Sequence, residues 1–176
     1  HWLRQGTPPV SADRPEYGVM STWDHGHWIS AIGERPQYMG HFGNYAGGME
    51  RYLFTEAMLG GDTEVLLAAM DVDRLQYLVV DAQELMGSEG PLRQLMVGGS
   101  AGSKNAAVPG LRAVFASLPD PGVPYEAVPG AWVYERVAGA QVSGRGAPGE
   151  AVELTLPLFY CGAWRAWRYE ATVGQD

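Results

Sequence analysis

The sequence predicts a mixed α/β protein: a mainly helical α/β core over residues 1–128, followed by a small antiparallel β domain over 129–176. Three observations carry that expectation. Apolar residues recur at helical spacing from Met49 to Met70, a short apolar run from Leu75 to Val80 reads as a buried strand, and the period falls from 3.6 to 2 after a proline-rich break. The break is Pro119 to Pro129, with four prolines in eleven residues.

The elements follow in order. Residues 1–18 carry Thr7-Pro8-Pro9 and Arg14-Pro15, which push their preceding residues away from helix, so an extended entry is expected. An aromatic stretch runs from Tyr17 to Ile32, and Gly33 and Pro36 close it. Met49, Tyr52, Leu53 and Ala57 then mark a helix that Gly60-Gly61 stops. A second helix runs to Met70, capped by Asp62 or Thr63, because a short side-chain oxygen accepts an unpaired first-turn amide. After the Leu75–Val80 strand, Pro91 suits the first turn of another helix, with Leu92, Leu95 and Met96 as its apolar face. Leu111 to Leu118 reads as one more short helix. Beyond the break, Trp132 to Val137 reads as a strand, Val152, Leu154 and Leu156 alternate with Glu153 and Thr155, and Trp164 to Val173 continues the pattern.

A chain of 176 residues buries a substantial core, and its net charge of −8 argues against nucleic acid as a partner, since phosphate binding needs a basic face. Residues 50–89 hold nine carboxylates against two arginines, so nearly all of that charge sits in one belt, expected to be a solvated helical surface. One cysteine, Cys161, forms no intramolecular disulfide and packs as a small hydrophobe. No apolar run is long enough for a membrane span, and the abrupt start at His1-Trp2-Leu3-Arg4 suggests a piece of a longer chain.

One cluster stands out. Thr22-Trp23-Asp24-His25-Gly26-His27-Trp28 packs two indoles, two imidazoles, a carboxylate and a hydroxyl into seven residues, with His41 and Asn44 close behind. The residues alone leave three readings open. His25 and His27 on an extended segment share a face, and Asp24 or His41 completes a tetrahedral or facial metal set, the arrangement a metal-dependent hydrolase needs. Alternatively, the aromatics fill the core and the histidines cap turns. In the third reading the cluster is a recognition pocket: an indole N–H only donates and a carboxylate only accepts, so together they bracket a hydroxyl that does both.

The run Tyr17-Gly-Val-Met-Ser-Thr-Trp-Asp-His-Gly-His-Trp-Ile29 resembles the segment around the WWDYG motif in the catalytic subunit of oligosaccharyltransferase. The likeness extends along the chain. Trp2-Leu3-Arg4-Gln5-Gly6-Thr7-Pro8 is similar to the family's stretch after its last transmembrane helix. The helices to Met70, Asp71-Val72-Asp73 and the following strand resemble the family's course after the motif. Val137 to Gly149 is similar to the start of the small β domain of archaeal and some bacterial members.

The resemblance implies the C-terminal domain of a single-subunit enzyme of the cell membrane, held on the extracytoplasmic side and inactive without its transmembrane half. Its partners would be an acceptor peptide with an Asn-x-Ser/Thr sequon and a lipid-linked oligosaccharide bound through the membrane portion. In the family, the two Trp and the Asp bind the hydroxyl of the Ser or Thr two residues after the acceptor Asn. By position, Trp23 and Asp24 match the second Trp and the Asp, and Gly26 the final Gly. Thr22 stands in place of the first Trp and His25 in place of the Tyr. The second family element, a short helix bearing DxxKxxx(M/I) or MxxIxxx(I/V/L), is best matched by Glu89-Gly-Pro-Leu92-Arg-Gln-Leu-Met96, with Leu92 at the residue beside the acceptor. The divalent cation, Mn or Mg, is held by carboxylates of the transmembrane portion, so no metal ligand and no catalytic residue is expected here. The rival readings are a carbohydrate- or peptide-binding module using Trp23, Trp28, Trp164 and Trp167 as stacking platforms, and a hydrolase using His25, His27 and His41.

Overall fold

In the computed structural model the described residues are 1–22, 24–40, 48–81, 108, 110–117, 130–138, 143–160 and 163–173. The chain opens on α1 (Trp2–Gly6), β1 (Gly18–Met20) and α2 (Gly26–Ala31). It continues through α3 (Gly48–Gly60), α4 (Thr63–Val72), β2 (Leu75–Asp81), β3 (Leu111–Ala116) and β4 (Ala131–Arg136), and ends on β5 (Ala151–Tyr160) and β6 (Ala163–Thr172).

Four strands form a mixed sheet in the order β1-β2-β4-β3, in which β1 and β2 are parallel and the other pairs antiparallel. Helices cover both faces, as the parallel pair requires. On one face, Met58 and Leu59 of α3 and Leu66 and Met70 of α4 pack with Met20, Leu78, Val80, Leu111, Trp132 and Tyr134. On the other, Leu3 of α1 and Ile29 of α2 pack with Val19, Tyr77 and Val133. A register shift at Gly18/Val19 advances β2 by an extra residue, from Leu75 to Tyr77. Leu75 therefore joins Leu78 and Val80 on the α3–α4 side despite the odd spacing.

Asp62 caps α4 by accepting from the Glu64 amide at 2.7 Å. Three expectations change. The entry segment is a helix over α1, although so short a helix has no stability of its own. Tertiary partners hold it: Leu3 is buried, Trp2 stacks on Phe115 with ring centroids 5.2 Å apart, and Arg35 serves its carbonyl end. The Arg35 guanidinium, only 7% exposed, donates to the Arg4 carbonyl at 3.0 Å, the Thr7 carbonyl at 2.9 Å and Thr7 Oγ1 at 2.7 Å. Leu111–Ala116 is strand rather than helix, because Leu111 and Ala113 alternate inward and the ladder to β4 outweighs a weak local pattern. Finally, the strand at Trp132 belongs to the core sheet, between β2 and β3, and does not open the later β unit.

That later unit is the hairpin β5–β6, paired without interruption from Ala151↔Thr172 to Tyr160↔Ala163. Cys161 and the expected helix at 91–97 lie outside the described residues.

Candidate functional site

Because β1 and β2 run parallel, their carboxyl ends share one edge of the sheet, the edge where open α/β sheets place ligands. The motif leaves β1 at that edge. Met20 pairs with Leu78, so β2 continues three residues beyond the end of β1 and carries Asp81 alongside the departing loop. Asp81 is itself held in register against Ala131 of β4.

The loop is closed by local hydrogen bonds. Ser21, buried, donates through Oγ to the Thr22 carbonyl at 2.8 Å, and the His25 amide donates to the same carbonyl at 3.3 Å. Thr22 Oγ1 lies 2.6 Å from Asp24 Oδ1. Since a carboxylate only accepts, the threonine hydroxyl spends its hydrogen on Asp24. Across the edge, His25 Nε2 lies 3.0 Å from Asp81 Oδ2, with the two side chains 25% and 21% exposed. His25 has helical dihedrals and starts α2, its carbonyl accepting from the Ile29 amide at 3.0 Å.

Gly26 is obligatory on steric grounds. A Cβ there would stand 2.1 Å from the Met39 carbonyl oxygen and 2.6 Å from Gln37 Oε1. The segment around Gln37 lies against β1, through the Val19 amide to the Pro36 carbonyl and the Tyr38 amide to the Val19 carbonyl, each 2.8 Å. The motif loop is thus wedged between this strap and β2. Tyr38 anchors the strap by donating to Asp73 Oδ2 at 2.8 Å, under the Arg51 guanidinium 4.7 Å from its ring centroid. Burial, and then the Asp73 carboxylate, push the Tyr38 hydroxyl up to about 12. Tyr77 is likewise raised, by burial first and then by Glu135.

Of the residues marked out by sequence, Thr22, Asp24, His25 and Gly26 come together here. Trp23 and Leu92 lie outside the described residues, as do His41 and Asn44. His27 goes elsewhere. The chain turns into α2 at Gly26 instead of running extended, so His25 and His27 do not share a face. His27 is exposed and meets Trp28 edge-on, ring centroids 6.0 Å apart.

Ligand atoms of Asp24, His25 and Asp81 do lie within 4.8 Å of one another. Two carboxylates and an imidazole suit a divalent cation of the zinc or manganese type. Asp81 takes the place that the His25-x-His27 reading gave to His27.

Asp81 is what sequence reasoning missed. It was one acid of the belt, and several of its neighbours have structural duties of their own: Asp62 caps α4, Asp71 pairs with Arg136 at 2.8 Å, and Asp73 takes Tyr38. The available signal was its position as the first polar residue after the buried run from Leu75, at the carboxyl end of a strand.

No family model matches the chain. Over 71 residues it is 38% identical to the dolichyl-monophosphooligosaccharide-protein glycotransferase AglB of Haloferax volcanii, a match to 38% of this chain and 6% of that protein. Among solved structures, it resembles the C-terminal globular domain of oligosaccharyltransferase from Archaeoglobus fulgidus with a TM-score of 0.51 and 13% identity, over 77% of this chain and 93% of that one. It also resembles the Archaeoglobus fulgidus oligosaccharyltransferase AglB, solved with an inhibitory peptide and a dolichol-phosphate. There the TM-score is 0.60 and the identity 14%, over 98% of this chain and 35% of that one. The chain therefore spans only a small part of the curated relative and about a third of the larger solved one. Its mixed α/β fold is that of the C-terminal globular domain of archaeal oligosaccharyltransferase, and the curated relative it matches is of the family that the sequence resembles.

Proposed function

We propose that this chain is the C-terminal domain of a single-subunit oligosaccharyltransferase, where it recognises the acceptor Asn-x-Ser/Thr sequon while the membrane portion binds the lipid-linked oligosaccharide. The observation that supports this most is the placement of Asp24: at the shared carboxyl edge of β1 and β2, one oxygen held by Thr22, in a loop that Gly26 lets sit tightly against the strap.

In this reading the hydroxyl of the sequon Ser or Thr donates to Asp24 and accepts from the Trp23 indole. With peptide bound, a pocket so built rejects one lacking the hydroxyl, because its own polar groups are then left unpaired. Thr22, standing where the family has its first Trp, does not offer the substrate a second donor. Its one hydrogen goes to Asp24, so it orients the acceptor carboxylate instead. His25 replaces the motif Tyr as an aromatic wall of the pocket, and Leu92 gives the threonine methyl an apolar contact.

The transfer needs a divalent cation, Mn or Mg, which activates the acceptor amide. The membrane portion holds it, on the extracytoplasmic side, and the isolated domain is inactive. Asp24, His25 and Asp81 already pair with partners in this chain, which favours a recognition pocket over a second metal centre at this edge. Among the described residues, no helix is long and apolar enough to cross a membrane.

The experiment is glycosylation of an Asn-x-Thr peptide by the full-length enzyme. Trp23→Ala and Asp24→Ala each reduce it sharply; full activity in both variants would overturn the reading. The binding-module alternative draws on Trp28, which is 61% exposed beside the motif. A Trp28→Ala variant that lost peptide binding while Asp24→Ala kept it would favour that alternative.

A further inference from the structure

We infer that Asp81 is a positioning residue for acceptor binding: its bond to His25 ties the motif loop to the sheet and so fixes where Asp24 points. The inference rests on the recognition reading above and extends it to a residue outside the motif.

The hydrogen bonds among Ser21, Thr22, Asp24 and the His25 amide are all local, between residues no more than three apart. Local bonds define the shape of the turn but leave it free to tilt as a unit on its two stems. The His25–Asp81 contact is of another kind, joining residues 56 apart in sequence at 3.0 Å. Its sheet end is rigid, since Asp81 is the last residue of β2 and is paired with Ala131. Its loop end is the residue next to Asp24 and the first cap of α2, so the tether acts at the joint between turn and helix. Both side chains are about three-quarters shielded from water, where a bond involving a carboxylate holds better than an exposed one. Sheet, loop and strap thereby each hold the turn that carries Asp24: β2 through the Asp81–His25 contact, Thr22 by its bond to Asp24, and residues 37–39 against Gly26.

Such a residue touches no substrate. Its loss loosens the ground-state and transition-state complexes alike, which raises KM and leaves kcat nearly unchanged. The test is steady-state glycosylation of an Asn-x-Thr peptide by the full-length enzyme. Asp81→Ala should raise the peptide KM about tenfold, the size of one charge-assisted hydrogen bond, with kcat within about twofold. Asp81→Asn, whose amide oxygen still accepts from His25 but without the charge, should recover part of the loss. His25→Ala breaks the same tether and also removes the pocket's aromatic wall, so it should raise KM at least as much and keep the inference testable if Asp81→Ala fails to fold. The double variant should be no worse than His25→Ala alone, because the tether is already broken there.

Unchanged KM in both His25→Ala and Asp81→Ala would overturn the inference, as would a loss confined to kcat or no recovery with Asp81→Asn. Asp24→Ala, run in parallel, separates the two layers. If it raises KM while Asp81→Ala does not, only the tether is wrong; if it leaves KM unchanged, the recognition reading falls and this inference with it.

Discussion

The β1–β2 edge and the β5–β6 hairpin are both built from paired strands, yet they are held in place by different physics. At the edge, helices cover both faces, and Val19, Met20, Leu78 and Val80 are fully buried. In the hairpin the pairing is longer, ten positions without a shift, but the described side chains of β5 are exposed, Val152 and Leu154 included. A ladder of hydrogen bonds is enough to make a hairpin. Presenting a carboxylate in a fixed direction takes tertiary packing of the backbone that carries it, and the edge has that packing on both faces of its sheet.

Breaking that packing should cost most where a buried group serves several others. Arg35→Ala strips a donor from the Arg4 and Thr7 carbonyls and from the Thr7 hydroxyl at once. A destabilisation of about 3 kcal/mol is expected in denaturant unfolding, with α1 released from the sheet. Gly26→Ala comes next. The added methyl meets backbone oxygen at Met39, which has nowhere to move without dragging the strap off β1, so about 2 kcal/mol is expected from thermal unfolding.

The strap also carries a pH dependence. Tyr38 titrates near pH 10 in an unfolded chain and at about 12 when folded, so the folded state holds the proton more tightly. Its contribution is complete below pH 10 and is lost as pH rises towards 12. Unfolding midpoints measured across that window should fall for the parent protein, and Tyr38→Phe should flatten the part due to this group. At the small end, Leu154→Ser in the hairpin should change stability by no more than about 0.5 kcal/mol, since its side chain is 48% exposed. A hairpin substitution as costly as Arg35→Ala would erase the contrast between the regions.

Much of the core was legible in the sequence because local and global signals agree there. Asp62 caps α4, the 3.6 period spans α3 and α4, and the apolar run is β2. Legibility failed where tertiary contacts decide. Nothing local announces α1, which depends on an arginine 31 residues away from Arg4. The sequence 111–116 has no strong preference until β4 lies beside it. At the site, the motif marked Thr22, Asp24, His25 and Gly26, since neighbours in sequence form one turn. It was silent on Asp81, which reaches His25 only through the parallel register of β1 and β2. The local turn explains the misplacement of His27: a two-residue spacing shares a face on a strand and loses it once the chain turns into α2.

In the proposed function Asp24 reads the hydroxyl of the sequon. Its most direct test is the ratio of kcat/KM for an Asn-x-Thr peptide to that for its Asn-x-Val counterpart, measured in the full-length enzyme with and without Asp24→Ala. The parent is expected to prefer the threonine peptide strongly, and the substitution to collapse the ratio by about tenfold or more, the cost of one hydrogen bond to a charged group. A ratio that survives the substitution unchanged, even with overall activity reduced, would contradict it.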